Sequence, residues 1–284
     1  MSFRIIVDSA SDITSELAKQ LDVTIIPLTV SFGDEVYRDG VDLDHIGFYK
    51  KLIETDEFPK TSQVPPFEYT EAFKKALETD DEVLCLTLSS KLSGSYQSAN
   101  IAADDFDEGK IHIVDTLNVT VGERILTELA VSLRDEGKSA AEVAEILNKE
   151  KFNIRLIALL DTLEYLKKGG RISSTVAAAG TLLSIKPVIA IQGGEVAFLG
   201  MARGSKNGNN KLVELINKEG GINFNKPMCM AYTGFTTDML DKYIEDSAHL
   251  YKEHKDSLPI SSVGCSIGTH IGPGAICAAF FING

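Results

Sequence analysis

EVLCLTLSSKLSGSYQSANIAADDF (82–106) is the stretch that decides the fold. Its first part, 82–90, is mostly apolar between Glu82 and the closing serines, and such a run predicts a strand buried on both faces. The part from 93 to 106 predicts a helix that starts almost directly after that strand. A buried strand followed at once by a helix is the repeating unit of a parallel sheet covered by helices.

The same alternation extends through the first half of the chain. The further predicted strands are FRIIVD (3–8), VTIIPLTVSF (23–32) with Pro27 at an edge or bend, and KIHIVD (110–115). The predicted helices follow Asp12 or Thr14, span 45–54, begin at Pro66, and occupy two segments up to about residue 148. Ligands of such sheets bind at the carboxyl ends of the strands. The segments expected to converge there are Asp8-Ser9, Ser89 to Ser95 and Asp115-Thr116.

The sequence changes character near residue 155, where glycines become more frequent and the apolar runs shorter. The predicted strands of this half are KPVIAI (186–191), EVAFLG (195–200), PMCMAYTG (227–234) and AICAAFFI (275–282). We therefore predict an α/β protein with an N-terminal parallel sheet flanked by helices (1–155) and a C-terminal α+β domain (156–284). No Pro/Gly/Ser-rich linker separates the halves, so they are expected to pack closely.

Composition and charge exclude several classes of partner. Of the 284 residues 44% are hydrophobic and 24% charged, which suits a globular protein with a substantial core. The net charge of −13 argues against nucleic acid and anionic membranes, since both are bound through Lys and Arg contacts with phosphate. We find no secretory signal and no run of roughly 18 apolar residues, so no stable membrane anchor is expected. Reduced thiols in core strands and a cytoplasmic location are expected from the four scattered cysteines: Cys85, Cys229, Cys265 and Cys277.

Five serines surround the strand-to-helix junction in S-S-K-L-S-G-S-Y-Q-S (89–98). A serine before a helix is often only its N-cap, and for any single serine that interpretation is as good as a functional one. One helix needs one cap, however, so capping does not explain all five. Ser93 and Ser95, beside free backbone N–H groups at a helix N-terminus, indicate a site for an anion.

Three glycines bracket His270 in G-T-H-I-G-P-G-A (268–275), just before the final apolar run. Such a loop allows the backbone to approach a ligand closely, and His270 can donate a hydrogen bond to a carboxylate. The alternative is a tight turn with an incidental histidine, and the residues alone do not separate the two interpretations.

Three further segments carry polar groups that also have an ordinary structural explanation. P-K-T-S-Q-V-P-P (59–66) offers three polar side chains, 61–63, on a proline-stiffened loop that is otherwise a surface turn. Y-L-K-K-G-G-R-I-S (165–173) has the form of a helix C-terminus, which explains its lysines and glycines but not Arg171. M-A-R-G-S-K-N-G-N-N-K (201–211) is a basic loop, either a solvated turn or a docking surface.

Several motifs of known chemistry are absent from the sequence. It contains no G-x-x-x-x-G-K-[ST] phosphate loop, and no G-x-S-x-G elbow surrounds Ser93. The five histidines are scattered, without the spacing of metal ligands. We therefore expect neither a metal nor a cofactor.

Taken together, these segments resemble the DegV family, which is associated with the fatty-acid-binding subunit of bacterial fatty acid kinase. The matching motifs run in order from end to end: D-S-x-x-D (8–12), T-S-Q (61–63), S-S-x-L-S-G-S-Y-Q-S-A (89–99), L-x-Y-L-K-K-G-G-R-I-S (163–173), I-K-P (185–187) and H-x-G-P-G-A (270–275). Two places depart from the family pattern. Val64-Pro65 replaces the usual Pro-Ser, and 115–123 has lost some small residues, which would alter the shape of a ligand tunnel.

The resemblance implies a long-chain fatty acid between the two domains, with its acyl chain in an apolar tunnel. The carboxylate-binding candidates that it gives are Thr61, Ser62, Ser93 and His270. The secondary ligand-site candidates are Gly94, Ser95 and Arg171. The family presents its bound acid to a separate ATP-dependent kinase subunit that makes the acyl-phosphate. The region of Arg203 corresponds to the loop that docks this subunit.

Three functions follow from these observations. The first is a non-catalytic carrier that holds a fatty acid and presents it to the kinase subunit. The alternative is a serine hydrolase with Ser93 as nucleophile and His270 as base, which needs an acid such as Asp8 or Asp115 to orient the histidine. The third is a regulatory module without a ligand, against which an apolar tunnel would count.

Overall fold

The computed structural model describes residues 2–172 and 185–283. The strands are β1 (Phe3–Asp8), β2 (Val23–Ile26), β3 (Thr29–Phe32), β4 (Glu35–Arg38), β5 (Lys60–Ser62), β6 (Glu82–Thr87), β7 (Ile111–Asp115), β8 (Ile154–Leu159), β9 (Ile185–Gln192), β10 (Glu195–Arg203), β11 (Met228–Tyr232), β12 (Ile260–Ser262) and β13 (Ile276–Phe281). The helices are α1 (Ser15–Leu21), α2 (His45–Glu54), α3 (Pro66–Leu77), α4 (Ser95–Ala103), α5 (Thr120–Asp135), α6 (Ala140–Glu150), α7 (Glu164–Lys168), α8 (Gly204–Lys218), α9 (Asp238–Asp246), α10 (Ala248–Tyr251) and α11 (Cys265–Ile271). Ser173 of the predicted lysine-glycine motif lies outside the described residues.

Four parallel strands in the order β2-β1-β6-β7 form the sheet predicted for the first half, called here the parallel sheet. Two helix pairs, α3 with α4 and α5 with α6, contact this sheet. Because helices cover it, residues 83–86 of β6 are all 0% exposed, which is why this strand is continuously apolar. Pro27 falls at a bend as predicted, since it separates the edge strand β2 from β3, which belongs to another sheet.

Six strands in the order β10-β9-β8-β13-β11-β12 form a second sheet, called here the mixed sheet. Neighbouring strands are antiparallel except for β11 and β12. β8 shows how both faces become apolar: Leu156 and Ala158 belong to the core that faces α5, whereas Ile157 and Leu159 pack into a separate core under α8. This strand alternates with period two although its sequence reads as one apolar run.

Helix α5 lies between the two sheets, since it contacts β1 and β6 of the parallel sheet and β8, β11 and β13 of the mixed sheet. One hydrophobic core accordingly contains Leu84 from β6, Ile125 from α5 and Phe281 from β13. The two halves of the chain thus share buried side chains. The division into two domains near residue 155 stays a prediction.

A small antiparallel sheet in the order β4-β3-β5 packs with α2 and α11. Its core contains Val30 and Phe32 from β3, Phe48 and Tyr49 from α2, and Cys265 from α11. This arrangement brings the T-S-Q segment, at the end of β5, next to the helix that carries His270.

Four local predictions are wrong. Thr61 and Ser62 lie in strand β5, paired with β3, and not in a loop. Cys265 is buried and free, as are the other three cysteines, but it lies in α11 and not in a strand. The residues 201–211 are not a loop, because β10 pairs with β9 as far as Arg203 and α8 starts at once. His270 belongs to α11 and not to the predicted glycine loop, which begins only at Gly272.

Candidate functional site

A cavity of about 340 Å³ lies between the mixed sheet and the loops that follow the strands of the parallel sheet. The mixed sheet supplies an apolar wall that includes Leu156, Ala158, Ile189, Ala231 and Cys277. The opposite wall includes Leu28 after β2, Leu88 after β6 and Val119 after β7. The cavity therefore lies at the carboxyl ends of the parallel strands, as expected for such a sheet.

Polar side chains meet at one part of the cavity wall, called here the polar end and formed by Thr61, Ser93, Arg171 and His270. His270 Nε2 lies 2.9 Å from Thr61 Oγ1, although the two residues are 209 positions apart in the chain. The fold thus joins four segments that are distant in sequence: the end of β5, the residues just before α4, those just after α7 and the end of α11.

Two acidic side chains hold the helix that carries His270. Asp39 accepts hydrogen bonds from the backbone N–H groups of Cys265 (2.9 Å) and Ser266 (3.1 Å) at the start of α11. Asp12 accepts one from Gly264 N–H at 2.8 Å. Both satisfy donors that a helix leaves free at its N-terminus. Sequence reasoning missed Asp39, because it lies 226 residues from its partner Cys265 and nothing local marks it.

The other end of α11 is fixed by close packing. A β-carbon at Gly169 would overlap Nδ1 of His270, so only glycine lets α7 approach the imidazole this closely. The sequence pattern explained Gly169 as a helix stop, which it is, but the contact with His270 depends on tertiary structure.

Ser93 combines a structural contact with a place in the cavity wall. Its Oγ accepts a hydrogen bond from Ser95 N–H (3.2 Å), the first residue of α4, and lies 3.0 Å from Ser95 Oγ. The N-cap of α4 is Gly94, so Ser93 is not the cap; it lies one residue before it, and its side chain lines the cavity. Ser95 itself is fully buried and does not line it.

Two hydrogen bonds attach the T-S-Q segment to α4. Gln63 Nε2 donates to Ser98 Oγ (2.9 Å), and Val64 N–H donates to Ser95 Oγ (3.3 Å). Gln63 lies directly over Gly94, where a β-carbon would overlap its amide oxygen. Steric exclusion thus explains why residue 94 is a glycine. The same contacts hold Thr61 beside Ser93 without a ligand. Ser62 is exposed at the rim of the cavity.

Arg171 connects two parts of the polar end. Its Nε donates to the carbonyl of Leu92 (3.2 Å), next to Ser93, and its Nη1 donates to the carbonyl of Gly169 (2.7 Å), under His270. Arg171 therefore positions the backbone on both sides of the site, which the helix C-terminus pattern did not explain.

The acids at the strand ends have other tasks. Asp8 accepts from Ala10 N–H (3.0 Å) and Leu88 N–H (2.8 Å), and Asp115 accepts from Ser90 N–H at 3.1 Å. They hold the loop before α4 and do not line the cavity. Among the described residues, no group accepts or donates a hydrogen bond at Nδ1 of His270. The acid that a catalytic triad requires is thus not found in this part of the chain.

His270 is neutral in this arrangement. Burial, with a smaller contribution from Arg171, lowers its pKa to about 4. Since a buried N–H without an acceptor is rarer than a buried acceptor without a donor, we infer that the proton lies on Nε2 and is donated to Thr61 Oγ1. The Thr61 hydroxyl proton is then free to point at a ligand.

Arg203 lies away from the cavity, exposed at the start of α8. Within residues 2–172 and 185–283, no helix has both the length and the apolar character needed to cross a membrane. The same residues contain no cluster of three or more His, Cys, Asp or Glu side chains arranged to hold a metal ion.

Comparison with known proteins assigns the family. The profile described as "Uncharacterised protein, DegV family" matches residues 2–283. The chain belongs to the DegV family. A DegV domain-containing protein of Caldanaerobacter subterraneus subsp. tengcongensis is 35% identical over 273 residues, which is 95% of either chain.

Solved DegV structures have the same fold. The DegV family protein of Thermus thermophilus, described as fatty-acid binding, superposes with a TM-score of 0.88 at 30% identity and covers 99% of this chain and all of its own. A stearic-acid-binding protein of Eubacterium ventriosum superposes with a TM-score of 0.84 at 28% identity, with 98% of each chain covered. The predicted α/β architecture is confirmed.

Three buried carboxyl groups, Asp8, Asp12 and Glu123, make the stability of this DegV protein depend on pH. Burial raises the pKa of Asp8 to about 7, that of Asp12 to about 8, and that of Glu123 well above its usual range. Carboxyl groups in an unfolded chain titrate at about 4. Because the folded-state pKa is higher, the folded protein keeps protons that the unfolded chain has released. The free energy of unfolding is therefore highest below pH of about 4 and falls as the pH rises through the folded-state pKa.

Asp12→Asn should reduce this loss of stability as the pH rises towards 8. The asparagine oxygen can still accept from Gly264 N–H, and its amide nitrogen takes the place of Oδ2, which has no partner among the described residues. Between pH of about 6 and 8, we expect the free energy of unfolding of the variant to fall less steeply, by up to about 1.4 kcal/mol per pH unit for one proton. Urea denaturation across this range measures it, and parallel curves would contradict the assignment. His270 does not affect this comparison, because its lowered pKa changes the stability only at acidic pH.

Proposed function

We propose that this DegV protein binds one long-chain fatty acid, with the acyl chain in the cavity and the carboxylate at the polar end. The observation that carries the proposal is the division of one cavity into an apolar wall from the mixed sheet and a polar end of hydroxyl and imidazole groups. Burial of methylenes contributes about 0.8 kcal/mol each, so a long chain supplies most of the affinity. DegV proteins of the same fold that bind fatty acids support the proposal.

The carboxylate is held by hydrogen-bond donors in this account. Thr61 Oγ1 accepts a hydrogen bond from His270 Nε2–H, so its own hydroxyl proton can be donated to the carboxylate. Ser93 donates a second hydrogen bond from the start of α4. Ser62 at the rim is a further donor, whereas Gly94 and Ser95 shape the backbone and Arg171 binds backbone carbonyls. A bound carboxylate raises the pKa of the neighbouring imidazole, so His270 changes from a neutral to a charged partner more readily when the ligand is present.

We further propose that the protein presents the bound fatty acid to a separate ATP-dependent kinase subunit. In that reaction a carboxylate oxygen attacks the terminal phosphorus of ATP, the bond to ADP breaks, and an acyl-phosphate forms. Neutral donors suit this chemistry, because a bidentate arginine pair would hold the carboxylate more tightly and reduce its reactivity. The protein is then a non-catalytic subunit, with the exposed region around Arg203 as the candidate docking surface.

The two other functions have less support. A serine hydrolase needs an acid that orients His270, and the described residues supply none at Nδ1. A regulatory module without a ligand does not explain a cavity of about 340 Å³ lined by apolar side chains. Native mass spectrometry of protein purified from cells tests the proposal, and we expect the bound mass of one long-chain fatty acid per chain.

A further inference from the structure

Asp39 is a buried acidic residue, 5% exposed, whose hydrogen bonds reach two of the elements that carry the polar end. It directly follows β4, and its backbone N–H donates to the carbonyl of Leu28 at 2.9 Å. Ser9 Oγ donates to Asp39 Oδ2 (3.1 Å) and accepts from Leu28 N–H (3.0 Å). Asp39 therefore holds both backbone groups of Leu28, one directly and the other through Ser9.

Leu28 connects Asp39 to Thr61. It directly precedes β3, in which Val30 pairs with Thr61 of β5. The same strand pairs with β4 as far as Arg38, and the hydrogen bond from Asp39 N–H extends this ladder by one residue. Strands joined in one ladder keep a fixed register, so the position of Thr61 depends on how Leu28 is held.

The carboxyl group of Asp39 holds the helix that carries His270. Its two oxygens accept from the N–H groups of Cys265 and Ser266, the first two residues of α11. The N-cap of this helix is Gly264, which has no side chain to do so. Seven residues are too few for a stable isolated helix, so the position of α11 depends on such tertiary contacts. His270 lies about 6 Å beyond Ser266 along the axis, and a shift at the start of α11 therefore moves the imidazole.

The contact between Thr61 and His270 leaves little room for such a shift. The distance from Nε2 to Oγ1 is 2.9 Å, and a hydrogen bond of this kind weakens beyond about 3.2 Å. Behind the imidazole, a β-carbon at Gly169 would overlap Nδ1, so the ring is also confined on that side. A displacement of a few tenths of an ångström thus changes the hydrogen bond that directs the Thr61 proton.

The geometry points to Asp39 as a positioning residue for carboxylate recognition. By binding both the strand that leads to Thr61 and the helix that carries His270, Asp39 sets the distance between them. It thereby sets the preference for a carboxylic acid over an uncharged head group. The inference rests on the proposed function. Asp39 does not line the cavity, so it acts through this pair and not by touching the ligand.

Binding of stearate and of octadecanol, which has the same chain length but no carboxylate, to delipidated protein tests this inference. In Asp39→Asn an NH₂ group replaces one acceptor oxygen and faces an N–H group of α11. We expect the dissociation constant for stearate to rise about tenfold, the effect of one hydrogen bond to a charged group, and that for octadecanol to stay within about twofold. A merely structural role would weaken both ligands alike.

Asp44→Asn is the matched control. Asp44 accepts from Gly47 N–H (2.8 Å) at the start of α2, so the variant makes the same change at another helix and should keep the preference for stearate. If Asp39→Asn keeps that preference, or weakens the binding of both ligands equally, the inference is wrong.

Ser9→Ala provides the test if Asp39→Asn does not fold. It removes the connection from Asp39 to Leu28 N–H and leaves the contacts with α11 in place, so we expect a smaller loss that is again selective for stearate. A Ser9→Ala protein with the native preference would contradict the inference. If the native sequence binds neither stearate nor octadecanol, the proposed function itself fails.

Discussion

Ala158→Phe is expected to lower the affinity for long-chain fatty acids at least a hundredfold. Ala158 lies in the middle of the mixed sheet, with Ile189 and Cys277 as its partners on the neighbouring strands, and all three side chains line the cavity. A phenylalanine ring there occupies the volume that the acyl chain needs. Excluding four methylenes removes about 3 kcal/mol of burial, which corresponds to more than a hundredfold in the dissociation constant. The ring enters an existing cavity and not a filled core, so the melting temperature should change little.

Ala197→Phe provides the matched control for this substitution. Ala197 is half-buried on β10 of the same sheet and does not line the cavity. Displacement of a fluorescent fatty acid should give a dissociation constant close to that of the native sequence for Ala197→Phe, and no displacement-competent binding for Ala158→Phe. If the dissociation constant of Ala158→Phe for the fatty acid is within tenfold of that of the native sequence, the acyl chain lies elsewhere.

Ser93→Ala combined with His270→Ala should abolish acyl-phosphate formation by the kinase subunit while the protein stays folded. The pair removes one direct donor and the imidazole that lies 2.9 Å from Thr61 Oγ1. A hydrogen bond to a charged group contributes about 1.5–3 kcal/mol; the variant loses that of Ser93 and the imidazole that orients Thr61, so we expect the rate to fall about a hundredfold or more. Trapping the acyl-phosphate with hydroxylamine, in the presence of ATP and the kinase partner, measures the product.

The control for this double variant is Ser90→Ala with His249→Ala. Both residues are exposed and neither lines the cavity, although Ser90 belongs to the same serine-rich segment. This pair should leave acyl-phosphate formation unchanged. Full activity of the Ser93/His270 variant would mean that other residues hold the carboxylate.

The fold of the first half could be read from the sequence because its information is local. The residues 83–86 are all apolar and fully buried, and only a strand covered on both faces requires that. The helix that follows, the bend at Pro27 and the site at the strand ends were predicted for the same reason. Neighbouring residues determine each of these features, and the parallel sheet then follows from the alternation.

Features that depend on distant residues could not be read in this way. α11 has only seven residues, contains Gly268, and is held by Asp12 and Asp39 from the other end of the chain, so its sequence looks like a loop. The four residues of the polar end were candidates from the sequence, whereas the contact of Gly169 with His270 was not, because Gly169 looks like a helix stop.

The lipid carried through purification is the most direct test of the central claim that the cavity holds a fatty acid. Native mass spectrometry should show the native sequence with the added mass of one long-chain fatty acid, and extraction should release a carboxylic acid of that mass. Ala158→Phe, purified in parallel, should appear at its unmodified mass. Ligand-free native protein that also fails to take up added fatty acid would contradict the account.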